Sequence, residues 1–257
     1  MNNPSTARLT GIRREVKYLV DSKLGEKVLN NLLEKVPAKH TNGSPSSFRV
    51  SIYLDDDERT LSAAELENHK VVTKMRIREY YILDGALPLF GEKCFLETKT
   101  RSGQMVEKSR FEVDRTKILK VLNEGPRALK DSEDRSAREA FEEIRNGKPL
   151  HPIFVVHYRR YTLQDKENRI RLTFDDMLSY HMPPANILSS EYPVCSRKDL
   201  PPPFLIEPNW IIEVKSIGAV PLWIDEILSP DKQIQYSKFG AGVRELERNH
   251  KLFKKGA

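Results

Sequence analysis

Alternating polar and apolar positions predict β-strands in several segments of the chain. In residues 12–20, Glu15 and Lys17 fall on one side of an extended chain, and Val16 and Tyr18 fall on the other. The same two-residue period recurs in residues 48–55, 71–82, 94–100, 106–113, 153–163, 169–176 and 210–216. The pattern therefore predicts about eight strands, most of them long.

Apolar residues at helical spacing predict helices between some of these strands. The predicted helices are residues 22–36 before Pro37, a short one with a capping box at Ser62 and Glu65, 114–122 before Gly125, 131–146, and a terminal helix capped by Ser229 and Pro230. Residues 85–91 are predicted to form a turn, and the proline-rich residues 183–208 an irregular extended segment.

Few of the predicted strands are continuous apolar runs, so a doubly wound parallel sheet is disfavoured. An α+β fold fits better, with a closed antiparallel β-barrel of about eight strands and helices packed outside it. We find no internal repeat and no linker, so residues 1–257 are predicted to form a single domain.

Composition narrows the class of partner without selecting one. The formal net charge of +6 suits an anionic ligand. Cys94 and Cys195 lack the spacing of a metal site, which favours a reduced, cytoplasmic setting. The N-terminal residues lack the apolar run of a signal peptide, and no stretch approaches about 18 apolar residues, so no integral membrane segment is expected.

The polar faces of the strands are ionic rather than mixed. Charged residues recur on one face of seven strands, in most cases as pairs two residues apart: Glu15 and Lys17, Arg76 and Arg78, Glu97 and Lys99, Lys108 and Arg110, Arg160, Arg171 and Asp175, and Glu213 and Lys215. Each face taken singly reads as solvated surface. Their recurrence favours a barrel whose apolar faces contact helices and whose ionic faces line the interior, where a polyanion must neutralise the cations.

Phosphate chains meet that requirement, because guanidinium groups bind phosphate oxygens in pairs. The acids on the same faces would repel phosphate unless a divalent cation, Mg²⁺ or Mn²⁺, lay between them. Glu213 is the best candidate metal ligand, with Glu15 and Glu97 behind it.

Nine ordered motifs resemble the VTC domain, the polyphosphate-polymerase branch of the CYTH-like triphosphate tunnel metalloenzymes. They are VKYLV (16–20), SIYLDDD (51–57), KMRIREYY (74–81), FLETK (95–99), EKSRF (107–111), YRRYTL (158–163), RIRLTFD (169–175), IIEVK (211–215), and PLWIDEIL with YSKFGAGV (221–243). Each motif alone is weak, whereas their order is specific and covers residues 10–245.

The resemblance implies a tunnel in which the terminal phosphoryl group of ATP passes to a growing polyphosphate chain. The phosphate-binding residues would be Lys17, Arg76, Arg78, Lys99, Lys108, Arg160, Arg171 and Lys238. The cofactor-binding residues would be Arg76, Arg78, Lys99, Arg160 and Lys215, and Glu213 would hold Mn²⁺ or Mg²⁺.

Two alternatives remain open. A tunnel triphosphatase would use the same cations and transfer the phosphoryl group to water. A non-catalytic module would bind polyphosphate or RNA without turnover. Nucleic acid is the less expected partner, because base-stacking proteins interleave aromatic and basic residues, and the ionic strands are predicted to contain few aromatics.

Overall fold

The computed structural model describes residues 13–91, 94–103, 105–128, 135–165, 169–189, 196–218, 222–228 and 232–255. The strands are β1 (Arg13–Val20), β2 (Ser46–Asp55), β3 (Val71–Asp84), β4 (Leu87–Phe90), β5 (Cys94–Ser102), β6 (Met105–Val113), β7 (His151–Asp165), β8 (Ile170–His181), β9 (Leu205–Glu207) and β10 (Trp210–Ile217). The helices are α1 (Ser22–Leu33), α2 (Thr60–Leu66), α3 (Ile118–Glu124), α4 (Arg135–Arg145), α5 (Leu222–Ile227) and α6 (Lys238–Lys255).

The strands hydrogen-bond in the order β1-β10-β8-β7-β2-β3-β5-β6, with β4 added to β3 and β9 added to β8. The α+β class and the antiparallel pairing are as predicted. The predicted closed barrel is wrong: β1 and β6 end the strand order, and no ladder joins them in the described residues. Alternation assigns the side chains of each strand to a face, but closure depends on whether the end strands pair.

The chain divides into two compact units, and the prediction of a single domain stays a prediction. The first unit comprises Met1–Pro45, Tyr161–Asp176 and Asn209–Gln235. The second comprises Ser46–Arg160, Met177–Pro208 and Tyr236–Ala257. The long strands β7 and β8 each contribute residues to both units.

In the first unit, the apolar faces of β1, β8 and β10 are covered by helices, as predicted. Tyr18, Leu172 and Ile212 are fully buried against Leu32 of α1 and Ile224 of α5. Helix α1 begins after Asp21, whose carboxylate accepts a hydrogen bond from the backbone N–H of Leu24 at 2.8 Å.

In the second unit, helices α3 and α4 cover the apolar faces of β3, β5 and β6. Met75, Ile77 and Leu96 are fully buried in one cluster with Phe111 and Phe141. The rings of Phe111 and Phe141 meet edge to face at 5.5 Å. This packing turns the charged residues of the same strands to the opposite face of the sheet.

Three local predictions were wrong. Residues 87–90, predicted as part of a turn, form β4 because Gly85 adopts a positive φ of 57° and lets the chain fold back on β3. Ser62 does not cap a helix: it lies within α2, and Asp55 and Asp56 accept the hydrogen bonds of the first turn. Helix α6 begins at Lys238 after Ser237, and Ser229 and Pro230 lie outside the described residues.

Candidate functional site

One face of the second unit carries basic and aromatic side chains in register across four strands, and we call it the cationic face. Its residues are Arg49, Ser51 and Tyr53 of β2, Lys74, Arg76, Arg78 and Tyr80 of β3, Phe95, Glu97 and Lys99 of β5, and Lys108, Arg110 and Glu112 of β6. One row across the strands reads Tyr53, Arg76, Glu97 and Arg110, because directly opposed residues share a face.

Glu97 is the carboxylate at the centre of this face. Its Oε2 accepts hydrogen bonds from Nε and Nη2 of Arg76 at 2.9 and 2.7 Å. The guanidinium groups of Arg78 and Arg110 lie 3.9 and 3.7 Å from the same carboxylate. One acid therefore serves three guanidinium groups, which leaves the row with an excess of positive charge.

The titration of Glu97 follows from these contacts. Burial opposes its ionisation, but Arg76 and Arg78 outweigh burial and lower the pKa of Glu97 below its ordinary value. Arg78 is 5% exposed, and its Nη1 donates to the hydroxyl of Tyr158 at 2.9 Å. Its Nε is buried without a hydrogen-bond partner among the described residues, a costly state for a charged donor.

Aromatic rings lie against the four arginines of this face and against Arg160 and Lys238 beside it. The cation-to-ring distances are 6.0 Å for Arg76 and Tyr53, 5.8 Å for Arg78 and Tyr158, 5.3 Å for Arg160 and Tyr158, 4.6 Å for Lys238 and Tyr158, 3.5 Å for Arg110 and Phe95, and 4.6 Å for Arg49 and Tyr80. Ring contacts orient a cation without neutralising it. The prediction that the ionic strands contain few aromatics is therefore wrong.

Lysines form a second row beside the arginines. Lys74, Lys99 and Lys108 are directly opposed on β3, β5 and β6. Lys74 contacts Glu65 at 3.2 Å and also the hydroxyl of Ser237, which caps α6. Like charges opposed across strands are destabilising, so an anionic ligand at this row would relieve the repulsion.

The first unit carries a separate lysine–glutamate cluster, made of Glu15, Lys17, Glu213 and Lys215. Lys17 lies opposite Glu213 and Lys215 opposite Glu15 in the pairing of β1 with β10. The Nζ of Lys17 is 3.5 Å from Glu15 and 3.9 Å from Glu213, and Lys215 pairs with both acids. Arg171 of β8 is exposed and lies opposite Lys215.

The predicted site residues thus fall into two groups. Arg76, Arg78, Lys99, Lys108, Arg160 and Lys238 belong to the second unit and meet on or beside the cationic face. Lys17, Arg171, Glu213 and Lys215 belong to the first unit and meet at its cluster. Convergence of all of them on one enclosed axis stays a prediction.

Glu213 could bind a divalent cation only if phosphate supplied further ligands. The described residues contain no group of three His, Cys, Asp or Glu side chains suited to a metal ion. Glu213 and Glu15 nevertheless share the same two lysines, and Mg²⁺ commonly uses one or two carboxylates together with substrate phosphates. The residues therefore fit an ion that arrives with phosphate, and the acids also have a direct role in balancing lysines.

Sequence reasoning missed Arg49 and Tyr158 and left Arg110 out of the site. A usable signal existed for two of them: Tyr158 precedes Arg160 by two residues, and Arg110 follows Lys108 by two, so each shares a face with a predicted site residue. Arg49 carried no such signal, because the partner that reveals it, Tyr80, lies on another strand.

Comparison with known proteins decides the family. Residues 12–247 match the VTC domain. The chain belongs to the VTC domain family. Membership supports a role related to polyphosphate and associates the chain with phosphotransferase chemistry. A comparison with curated protein sequences gave no significant match.

Several solved structures share a low similarity with this VTC domain. The PH1012 protein from Pyrococcus horikoshii OT3 is 12% identical, with 89% of this chain and 98% of that chain covered and a TM-score of 0.41. A conserved hypothetical protein from Pyrococcus furiosus is 9% identical with the same coverage and TM-score. A chain of the Schizosaccharomyces pombe Mediator head module is 10% identical, with 84% and 89% covered and a TM-score of 0.39. Similarity of this extent assigns no function.

None of the helices in the described part of the chain combines the length and the apolar character needed to cross a bilayer.

Proposed function

We propose that this VTC domain is a metal-dependent polyphosphate polymerase. It would transfer the terminal phosphoryl group of ATP to the end of a growing polyphosphate chain and release ADP. The observation that carries the proposal is the cationic face, where one carboxylate, Glu97, serves three guanidinium groups and aromatic rings hold the others. Family membership supports the same chemistry.

Phosphoryl transfer requires alignment and charge neutralisation more than covalent chemistry from the protein. The bond between the β- and γ-phosphates breaks, and a bond forms between the γ-phosphorus and a terminal oxygen of the chain. Arg76 and Arg78 would bind non-bridging oxygens, displacing part of their pairing with Glu97. Lys99, Lys108, Arg160 and Lys238 would neutralise the adjacent phosphates. Because rings position Arg76, Arg78, Arg160 and Lys238 before substrate arrives, little reorganisation of these cations is needed at the transition state.

The lysine–glutamate cluster would hold the metal ion. Glu213 would bind Mn²⁺ or Mg²⁺ together with phosphate oxygens, and Lys17, Lys215 and Arg171 would contact the same phosphates. When bound, the ion would neutralise negative charge on the phosphate oxygens that it contacts. Phosphate would also draw Lys17 and Lys215 away from Glu213 and so make its carboxylate available.

Sizing the phosphate products is the experiment that tests this function. The purified protein is incubated with ATP and either Mn²⁺ or Mg²⁺, and the products are separated by length on a gel. The proposal predicts ADP and chains of many phosphates, and predicts that E213A abolishes both. E139Q on α4 is the control, because Glu139 is exposed and pairs with Arg135 on the same helix.

The other outcomes separate the competing functions. Orthophosphate as the sole phosphate product would replace the polymerase with a triphosphatase, since the same cations serve transfer to water. Tight binding of polyphosphate with no turnover in either metal would leave a binding module. Turnover that survives E213A unchanged would remove Glu213 from the metal site.

A further inference from the structure

We propose that Arg49, together with Tyr80, forms an additional phosphoryl-binding subsite that is filled only by chains longer than a triphosphate. This inference rests on the proposed function, because it extends the phosphate-binding cations of the same face. It assigns a ligand class, the interior of a linear polyphosphate, to a residue for which the motifs of the family resemblance gave no role.

Arg49 continues the line of cations along the sheet. Ser51 of β2 lies opposite Arg78, and Arg49 lies opposite Tyr80, two residues further along both strands. Each two-residue step advances about 7 Å along a strand. The side chains of Lys74, Arg76, Arg78 and Arg49 therefore mark successive rows, about 20 Å in total. A triphosphate is too short to reach all of these rows at once.

The guanidinium of Arg49 is positioned but not neutralised. Its Nη1 donates to Ser47 Oγ at 2.6 Å, and its Cζ lies 4.6 Å from the centre of the Tyr80 ring. Among the described residues, no carboxylate pairs with it. A stacked guanidinium keeps in-plane N–H groups for an anion, so this arrangement suits a phosphate approaching from the edge.

The electrostatic environment of Arg49 also favours the binding of an anion. Burial lowers the pKa of Arg49 to about 10, and the charges of Arg160 and Arg78 add to the effect against an opposing contribution from Tyr158. The group still carries its charge at neutral pH. A half-buried cation close to other cations is stabilised when a polyanion binds, because the anion offsets their mutual repulsion.

Two sources of the phosphate must be separated by experiment. The phosphoryl group could belong to the interior of a long chain, as proposed, or to the α-phosphate of a nucleotide whose base stacks near Tyr80. Binding of inorganic tripolyphosphate, ATP and long-chain polyphosphate is therefore measured for the wild type, R49Q and R49K. R135Q is the matched control, since Arg135 has an 89% exposed side chain on α4 and its loss changes the net charge equally.

We expect R49Q to weaken binding of long-chain polyphosphate about tenfold. Binding of tripolyphosphate and ATP should change less than about twofold. R49K should recover part of the loss, because it restores the charge but not the planar stacked group, and it also serves if R49Q does not fold. R135Q should resemble the wild type with all three ligands.

Three results would overturn the inference and leave the proposed function standing. Equal weakening with all three ligands would place Arg49 in the triphosphate site, weakening with ATP alone would make it a nucleotide contact, and unchanged binding would leave it structural. A wild-type protein that binds neither tripolyphosphate nor long-chain polyphosphate would refute the proposed function itself, and the subsite with it.

Discussion

At the scale of single residues, the cationic face depends on how its positive charges are held in the absence of ligand. A carboxylate partner holds a cation but also neutralises it, whereas a ring face holds the cation and leaves its charge available. The centre of the Tyr158 ring, for example, lies within 6 Å of the cationic groups of Arg78, Arg160 and Lys238. Glu97 occupies the guanidinium groups that phosphate would bind, and so it competes with the ligand. Replacing Glu97 should therefore lower the stability of the free protein and increase its stabilisation by phosphate.

We predict that E97Q lowers the free energy of unfolding by about 2 kcal/mol, because three guanidinium groups lose their shared partner. Tripolyphosphate should raise the melting temperature of E97Q more than that of the wild type, since the ligand replaces the missing negative charge. Thermal unfolding with and without tripolyphosphate measures both effects. E139Q, which removes an exposed acid, should change the free energy of unfolding by less than about 0.5 kcal/mol, and tripolyphosphate should raise its melting temperature as much as that of the wild type.

The difference in stability between wild type and E97Q should depend on pH in one direction. The pKa of Glu97 is lowered in the folded protein, so the stabilisation is present above its ordinary pKa and is lost as the pH falls through the lowered value. The gap between wild type and E97Q should be full at pH 7 and should close below about pH 4. A gap that persists in acid would contradict the ionic role of Glu97.

His157 gives a second prediction about pH and stability, because it is a base that burial keeps neutral. The ring is fully buried, its Nε2 lies 2.6 Å from the hydroxyl of Tyr81, and burial, aided by Arg197 and His181, lowers the pKa of His157 to about 3. Below pH 6.5 the unfolded chain takes up a proton that the folded protein excludes. Wild type should therefore lose about 2 kcal/mol relative to H157Q between pH 7 and pH 5. Denaturant titrations measure the free energy of unfolding of both proteins at these pH values. An equal change between pH 7 and pH 5 in wild type and H157Q would contradict the prediction.

Sequence reasoning located most of the cations but not what surrounds them. Arg76, Arg78, Lys99 and Lys108 could be placed on one face because the two-residue period of a strand is local. The contacts of Arg78 with Tyr158 and of Arg49 with Tyr80 join different strands. Such contacts depend on register, which a single sequence does not encode at any one position.

At the scale of elements, packing overrides local propensity in α1. Gly25 is buried in this helix, where alanine would be favoured by about 1 kcal/mol. A Cβ at this position would lie 2.6 Å from Cδ2 of Trp210. The indole is 5% exposed and stacked on Tyr161 at 6.3 Å, so it has little room to move.

We predict that G25A destabilises the first unit by about 1–2 kcal/mol, because the cost of overpacking exceeds the gain in helix propensity. Urea denaturation measures the change. N31A is the matched control on the same helix, since Asn31 is exposed, and it should be neutral or stabilising by up to about 0.5 kcal/mol. Stabilisation by G25A would mean that Trp210 can shift.

Elements with a long periodic pattern were predictable, whereas short ones were not. β3, predicted as residues 71–82, runs Val71–Asp84, and β10, predicted as 210–216, runs Trp210–Ile217. The four-residue β4 was missed because Leu87–Phe90 gains its order from pairing with β3. Helix α2 was predicted with the wrong cap, because Asp55 and Asp56 come from the end of β2 and the residue after it.

At the scale of the whole molecule, the cations predicted for the site lie in two groups, one on the cationic face of the second unit and one in the lysine–glutamate cluster of the first. The formal net charge of +6 alone could not have predicted this, since 37 acids accompany 43 Lys and Arg residues. The open strand order from β1 to β6 was equally beyond the pattern. The family could be predicted, because the order of many weak motifs carries more information than any one of them.

The central claim is that the cationic face binds a phosphate chain, and a crystal structure of the protein grown with tripolyphosphate tests it most directly. The account predicts phosphate oxygens within hydrogen-bonding distance of the guanidinium groups of Arg76 and Arg78, with the carboxylate of Glu97 displaced from at least one of them. Tripolyphosphate bound elsewhere, with the pairing of Arg76 and Glu97 intact under saturating ligand, would contradict the claim.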